Sequence, residues 1–493
     1  MFRPSSLRAL PRLDEGGGRA LGLVLLVGYL IAVGSQIVDH AMWRDDAQAW
    51  LIAGARSGPD ELYRNLRFEG HPPLWYLVIW PISRLSADIE HMKLVSMALA
   101  VTFGVLVTFG RTVPVPLRPV LLAGFLPVFG YGVLSRPYML GLVLLLAFLE
   151  LLTRETQGGR PTYRLRMLFA LFLALTHLMF AAIAGALIAG ELLVALRPER
   201  PERRHRLRWS LGAGAVTVAS TLALLPDRSG VFVPTDIRLE RITASNVLRA
   251  LAETVGVAGV VDDVAWAVLA TVFAFVLLAL LREPARAFPL VLAVLVLVIN
   301  RLIGYGPFWW HFGVTTFTMI TLGLLAVGGS RRTARDGSTS PWRRTAGAGL
   351  LLLPLLLAQV GSTVRWFDQN GSLPYSAGKE AGALVRDACP RGCPLVVDAS
   401  PAGSTVLAYL GARTAYRLDD RREGTFAIWD PVHGTGEVSW EALREAMAAR
   451  GPTTVGVLSR LREPPAHFKV VGRTGPAVWA DEEFILVTLL PSR

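Results

Sequence analysis

The sequence is poor in charge and almost without cysteine. Only 18% of its 493 residues are Asp, Glu, Lys or Arg, against about 25% in an ordinary soluble domain, so an ordinary soluble enzyme is a poor fit. Two cysteines in this length exclude a disulfide scaffold. Lys is confined to positions 93, 379 and 469, which leaves the basic side to Arg. The low hydrophobicity that marks disorder is missing too, since 52% of the residues are apolar. No zinc-protease spacing, phosphate loop or dinucleotide fingerprint stands in convincing context. The run Gly16-Gly17-Gly18 precedes a long apolar stretch and reads as a flexible lead-in.

What remains is apolar length and positive charge. The formal charge is +12, and its placement decides between a nucleic-acid footprint and the cytoplasmic loops of a membrane protein. About 20 apolar residues are needed to cross some 30 Å of hydrocarbon. Candidate segments lie near 19–38, 72–86, 91–110, 117–134, 138–153, 164–176, 177–196, 209–226, 263–281, 286–305, 308–327 and 345–363. The first follows Arg3, Arg8, Arg12 and Arg19 without a convincing cleavage site, which predicts a retained anchor.

Segment 197–208 holds six Arg against two Glu, and 331–344 holds five Arg against one Asp. The turns at 154–166 and 282–286 are also Arg-rich. The positive-inside rule puts all four in the cytoplasm. Connections 39–72 and 227–262 carry Asp39, Asp45, Asp46, Asp60, Glu61 and Glu69, and Asp227, Asp236, Glu240, Glu253 and Asp262; both are expected outside. A cytoplasmic N-terminus and an outer C-terminus require an odd number of crossings, so 72–86 or 117–134 is expected to be re-entrant or too short. The expected fold is an α-helical polytopic membrane protein of about 11–13 spans with a small extracytoplasmic α/β domain. Residues 1–18 form the cytoplasmic lead, 19–363 the membrane domain and 364–493 the outer domain. The excess charge is then a topological signal, and no nucleic-acid partner is expected.

In the C-terminal region, 376–388, 402–410 and 438–449 read as helices; 394–398, 453–458 and 484–490 read as strands. Its 15 basic and 15 acidic residues cancel. Cys389 and Cys393 lie in the loop CPRGC, whose spacing is not that of a thiol-redox motif. A disulfide is feasible there outside the membrane, and the role expected is structural. Asp419-Asp420 and the following Arg421-Arg422 look like a solvated turn.

The first outer connection is the richest in chemistry. Its start, 45–57, reads as a helix lying along the membrane surface, with Ala49, Trp50, Ile52 and Ala53 at near-helical spacing. Asp45 and Asp46 at its start either cap the helix and complement its dipole or serve a site at the mouth of the bundle. Glu69-Gly70-His71-Pro72-Pro73 forms a second polar cluster entering the membrane. Arg301 follows a long apolar run, so it is either a functional charge or a residue snorkelling to the interface. Trp309, Trp310 and Phe312 read as an aromatic belt. His311 and His177 each allow a structural role or a ligand-binding one.

Trp43-Arg44-Asp45-Asp46-Ala47-Gln48-Ala49-Trp50 and Gly70-His71-Pro72-Pro73-Leu74 together resemble the GT-C superfamily of polytopic glycosyltransferases. The likeness is to the branch of protein O-mannosyltransferases and aminoarabinose transferases. That family typically has Asp-Glu in this loop, whereas the second acid here is Asp46. Ser135-Arg136-Pro137-Tyr138 is similar to an Arg-containing motif of a later helix, without the acid some members carry there.

The resemblance implies transfer of a sugar from a polyprenyl-phosphate donor to a glycan, lipid or protein acceptor, on the outer face of a bacterial cytoplasmic membrane. It makes Asp45 the general base, with Asp46 assisting or binding a metal. Donor phosphate would be met by Arg136 or Arg301, with Glu69, His71, Tyr138 and His311 as further donor- or substrate-binding candidates. Arg44, Arg238 and Arg241 are lesser cationic candidates. No cofactor is implied beyond the open question of a divalent metal. Two other classes stay in view, a transporter or flippase of lipid-linked substrates and a non-catalytic scaffold displaying its outer domain. No internal repeat favours the transporter.

Overall fold

The computed structural model describes residues 15–54, 59–197, 202–223, 243–246, 288–289, 291–293, 295–296, 309–328 and 341–490. Arg301, Arg238 and Arg241 lie outside the described residues, as do nearly all of 227–262, the segment 263–281 and most of 286–305. Among the described residues the chain is mostly helical, with one small sheet near its C-terminus.

Helix α1 (Glu15–Asp39) takes in Gly16, Gly17 and Gly18, so the expected flexible lead-in is already helical. Next come α2 (Arg44–Gly54), α3 (Pro59–Leu66), α4 (Leu74–Leu85) and α5 (Met92–Phe109). Among the described residues four helices are long and apolar enough to cross a membrane: Gly18–Asp39, Ile89–Phe109, Pro137–Thr156 and Leu178–Leu196. At about 1.5 Å of rise per residue, the 12 residues of α4 fall well short of the hydrocarbon thickness. Segment 117–134 does not form a span-length helix either. Pro119, Pro127 and several glycines break it into α6 (Arg118–Leu122) and a π turn, Leu126–Gly130.

Helices α7 (Pro137–Thr156), α8 (Tyr163–Ala174), α9 (Leu178–Leu196) and α10 (Arg203–Ala223) pack as successive neighbours, and α11 (Trp309–Gly328) lies against α7 and α9. A buried ionic lattice ties one end of this group together. Arg166, fully buried, reaches Glu155 at 2.7 Å and Glu191 at 2.8 Å. Arg206 joins the same two carboxylates. The chain 154–166, read above as an Arg-rich turn, thus owes part of its Arg content to packing.

Helix α12 (Pro341–Asn370) continues six residues past the expected boundary at 364. Beyond it lies a three-layer α/β unit. Its elements are α13 (Gly378–Ala388), β1 (Leu395–Val397), α14 (Ser400–Tyr409), β2 (Ala415–Arg417), β3 (Arg422–Gly424), α15 (Trp440–Ala448), β4 (Val455–Leu458), β5 (Phe468–Arg473) and β6 (Ile485–Leu489). The strand order is β3-β2-β1-β4-β6-β5, with β1 parallel to β2 and β4 and the other pairs antiparallel. Side chains alternate across the sheet, as strand geometry requires. Leu395, Val397 and Leu486 face α13 and α14, while Val396, Ile485 and Val487 face α15. Strands β2, β3 and β5 escape the sequence reading because they are short or carry polar edges. Cys389 and Cys393 are bonded, closing the loop between α13 and β1.

Two expectations are corrected here. Helix α2 is not a surface helix: residues 46 to 53 are all buried, because α4 covers one side and α14 of the C-terminal domain covers the other. Its polar face meets polar partners rather than headgroups or water. Asp419 and Asp420 are no solvated turn, each being 1% exposed; they fold inward onto Ser400 at the start of α14.

Candidate functional site

The site begins with the way α2 starts. Trp43 is its N-cap, and Asp46, three residues on, turns back toward the Trp43 N–H at 3.5 Å. That is the acidic half of a capping box. The other contact of Asp46 is His40 Nε2 at 3.3 Å. Asp46 is wholly buried by this arrangement. Asp45, one position earlier on the helix, points elsewhere and keeps a third of its side chain exposed. The two acids differ in role because successive helical residues face different ways.

Arg136 meets Asp45. It precedes Pro137, the first residue of α7, and a residue before proline is held extended. From that position Arg136 Nη1 donates to the Asp45 carbonyl at 2.9 Å. Nη2 lies 3.4 Å from Asp45 Oδ2 and 3.5 Å from His71 Nε2. Burial, the largest influence, would lower the Arg136 pKa, but Asp45, Tyr138, Tyr76 and Asp46 together outweigh it and hold the guanidinium above its usual value. His71 follows Gly70, whose φ of +64° turns the chain before the Pro72-Pro73 entry to α4. Burial, then Arg136, push the His71 pKa down to about 3, so its imidazole is neutral at physiological pH. An Arg nitrogen can only donate, so His71 accepts through Nε2.

A wall of rings continues from His71. His177 lies 5.3 Å from it between centroids, and His311 lies 5.7 Å beyond His177. Tyr138 contacts both, at 5.3 Å and 6.4 Å, and stacks on Tyr131 at 5.0 Å. Tyr131 Oη donates to the Trp310 carbonyl at 2.5 Å. A Cβ on Gly313 would collide with that hydroxyl, so glycine permits the close approach of α11. His177 caps α9, its Nδ1 accepting from Met179 N at 3.2 Å. The proton is therefore on Nε2. That Nε2, fully buried, has no hydrogen-bond partner among the described residues. Trp310 is 7% exposed and packs edge-on against Trp43 at 5.4 Å. It is a wall of the site, which corrects its reading as part of an aromatic belt.

The C-terminal domain forms the other side. Gln48 donates to Glu69 at 2.6 Å and to the Ala427 carbonyl at 2.6 Å, and accepts from Ala427 N at 3.0 Å. Burial lifts the Glu69 pKa to about 8, a rise that Gln48 and Arg136 only partly offset. Tyr409 Oη accepts from Met42 N at 2.8 Å, and Glu482 accepts from Arg44 N at 3.0 Å. Trp479 stacks on Trp43 at 5.2 Å and lies under the Arg44 guanidinium at 5.3 Å. Burial raises the Glu482 pKa to about 7 against the opposing pull of Ser376 and Arg44.

Of the residues expected in the site, Asp45, Asp46, Glu69, His71, Arg136, Tyr138 and His311 all enter this one cluster. Asp46 caps the helix and meets His40 through Oδ2, while its buried Oδ1 has no hydrogen-bond partner among the described residues. Its contacts give the metal reading no support, since Asp45 and Asp46 turn to different partners. Among the described residues the one group of three side chains close enough to share an ion is Asp419, Asp420 and His433, in the C-terminal domain. His40, Trp479 and Glu482 were missed, and Gln48 stood in the quoted motif without a role; fold-level contacts recruit all four. No family model matches the sequence, and no curated protein matches it.

Proposed function

We propose that the chain is an integral-membrane glycosyltransferase of the GT-C type. It moves a sugar from a polyprenyl-phosphate donor to an acceptor hydroxyl on the outer face of the bacterial cytoplasmic membrane. The observation that carries this reading is the meeting of Asp45, Arg136 and His71. They come from three separated stretches, the same stretches that bear the family likeness. The four apolar helices are consistent with a membrane setting.

The chemistry asks for three things. As the acceptor oxygen bonds to the anomeric carbon, its proton must leave, and Asp45, the accessible acid, takes it as general base. The bond from that carbon to the phosphate oxygen breaks, and its electron pair departs with the lipid phosphate. Arg136 and the His177 Nε2–H are cationic and neutral donors suited to that oxyanion. A neutral His71 beside Arg136 shapes the cleft without adding charge. The lipid chain would lie in an apolar groove between helices, and the N-terminus would be cytoplasmic with the C-terminal domain outside.

The test is Asp45→Asn in a deletion strain, with lipid-linked sugars and surface glycans compared by mass spectrometry. Loss of a positioned general base is expected to cut transfer by about 10²–10⁴-fold, with expression and folding unchanged. An Asp45→Asn protein that restores the wild-type glycan profile would sink the proposal. So would substrate movement across vesicles with no glycosidic bond formed.

A further inference from the structure

A second polar cluster lies at the carboxyl ends of parallel strands β1 and β2. Open α/β sheets place their ligands at that edge. Asp419 and Asp420 follow β2, Ser400 opens α14 after β1, and His433 comes from the loop between β3 and α15. The ligating atoms of Asp419, Asp420 and His433 all lie within 4.8 Å of one another.

The cluster is short of hydrogens. Ser400 N donates to Asp419 Oδ2 at 2.7 Å. Ser400 Oγ lies within reach of both Asp419 Oδ1 and Asp420 Oδ2, the latter at 2.9 Å, yet a hydroxyl has one hydrogen to give. Among the described residues neither Asp420 Oδ1, wholly buried, nor His433 Nδ1, on a side chain 9% exposed, has a well-aligned hydrogen bond. These two atoms sit 2.7 Å apart, out of hydrogen-bond alignment. By distance they form an ion pair, with the His433 proton poorly aimed at the carboxylate oxygen. The surrounding charges do not fill the gap. Arg417 reaches Asp420 Oδ2 only at 3.5 Å, and Arg422 is engaged with Asp430 at 2.6 Å.

From this geometry we infer a divalent-cation site formed by Asp419, Asp420 and His433. One imidazole with two carboxylates suits Zn²⁺ or Mn²⁺ better than Ca²⁺ or Mg²⁺. The ion would replace the proton on His433, so binding weakens as pH falls. It would also fasten the loop that carries Ala427, whose backbone grips Gln48 beside Glu69. The inference does not depend on the proposed transferase activity.

The full-length protein, purified in detergent and stripped with EDTA, is titrated with ZnCl₂ and MnCl₂ by calorimetry. One saturable site per chain is expected, tighter at pH 7.5 than at pH 5.5. Asp420→Asn and His433→Gln should each weaken it by at least ~10-fold, the smallest loss usual for a disturbed metal site. X-ray absorption of the Zn²⁺-loaded wild type should show one imidazole and otherwise oxygen ligands, a readout that stands even if a variant fails to fold. Absence of saturable binding in the wild type overturns the inference. Folded variants that bind as tightly as wild type also overturn it, and so does a zinc shell with two or more imidazoles, which would point to His71, His177 and His311.

Discussion

Glu69 is the residue whose chemistry departs furthest from its sequence appearance. In the polar cluster before Pro72-Pro73 its sequence gives no sign of protonation, yet burial lifts its pKa to about 8. The folded state favours the protonated form relative to an unfolded chain near 4.5. Its contribution to stability is therefore full below about pH 4.5 and is lost as pH rises through about 8. Thermal unfolding of wild type between pH 6.5 and 9 should show a falling midpoint, and Glu69→Gln should remove part of that slope. Glu482, raised to about 7, adds to the fall with the same sign, whereas His71, lowered to about 3, opposes it below about pH 6.5. An identical slope in Glu69→Gln would mean that Glu69 does not titrate in this window. The gathering of Asp45, His71, Arg136, Tyr138 and His311 was legible, since polar groups at helix ends in an apolar chain stand out. It was illegible for Asp419 and Asp420. Next to Arg421 and Arg422 they imitate a solvated turn, and only the packing of α14 shows otherwise.

At the scale of elements, two kinds of polar contact do different work. The Arg166, Arg206, Glu155 and Glu191 lattice locks α7, α8, α9 and α10 to one another. Removing one member of a buried ion pair leaves its partner uncompensated, at a cost of about 3–5 kcal/mol. Glu191→Ala should lower the resistance of the purified protein to SDS unfolding by an amount of that order, while Arg154→Ala, at the exposed end of α7, should change it little. Equal behaviour of the two variants would place the lattice among surface contacts. The break at Thr176-His177 was readable, because the apolar run stops there. The burial of α2 was not. Its alternation of polar and apolar residues has the pattern of an interface helix, and the pattern cannot tell a polar surface from a polar partner. Gln48 satisfies that face through Ala427, some 379 positions away.

On the scale of the whole molecule, the C-terminal domain is part of the site and not an appendage to the helices. Arg44, Met42 and Gln48 each bond to it from within or next to α2. A chain truncated after Asn370 should still place α5, α7 and α9 in a membrane fraction but lose transfer, as read from the same glycan profile. Full activity in that truncation would reduce the domain to a display. The architecture was legible as helices followed by an α/β unit, from apolar run lengths and the shift in composition. The docking was not, since contacts across several hundred residues leave no local trace.

The joining of position 44 to position 482 also has a meaning in time. Arg44 emerges from the ribosome 438 residues before its partner, which at about 5–20 residues per second is a delay of roughly 20–90 s. Through that interval α2 has one wall and no roof. The residues read here as catalytic are among the first made and among the last to be assembled, so a partly synthesised chain holds its acid and its arginine without a finished site around them.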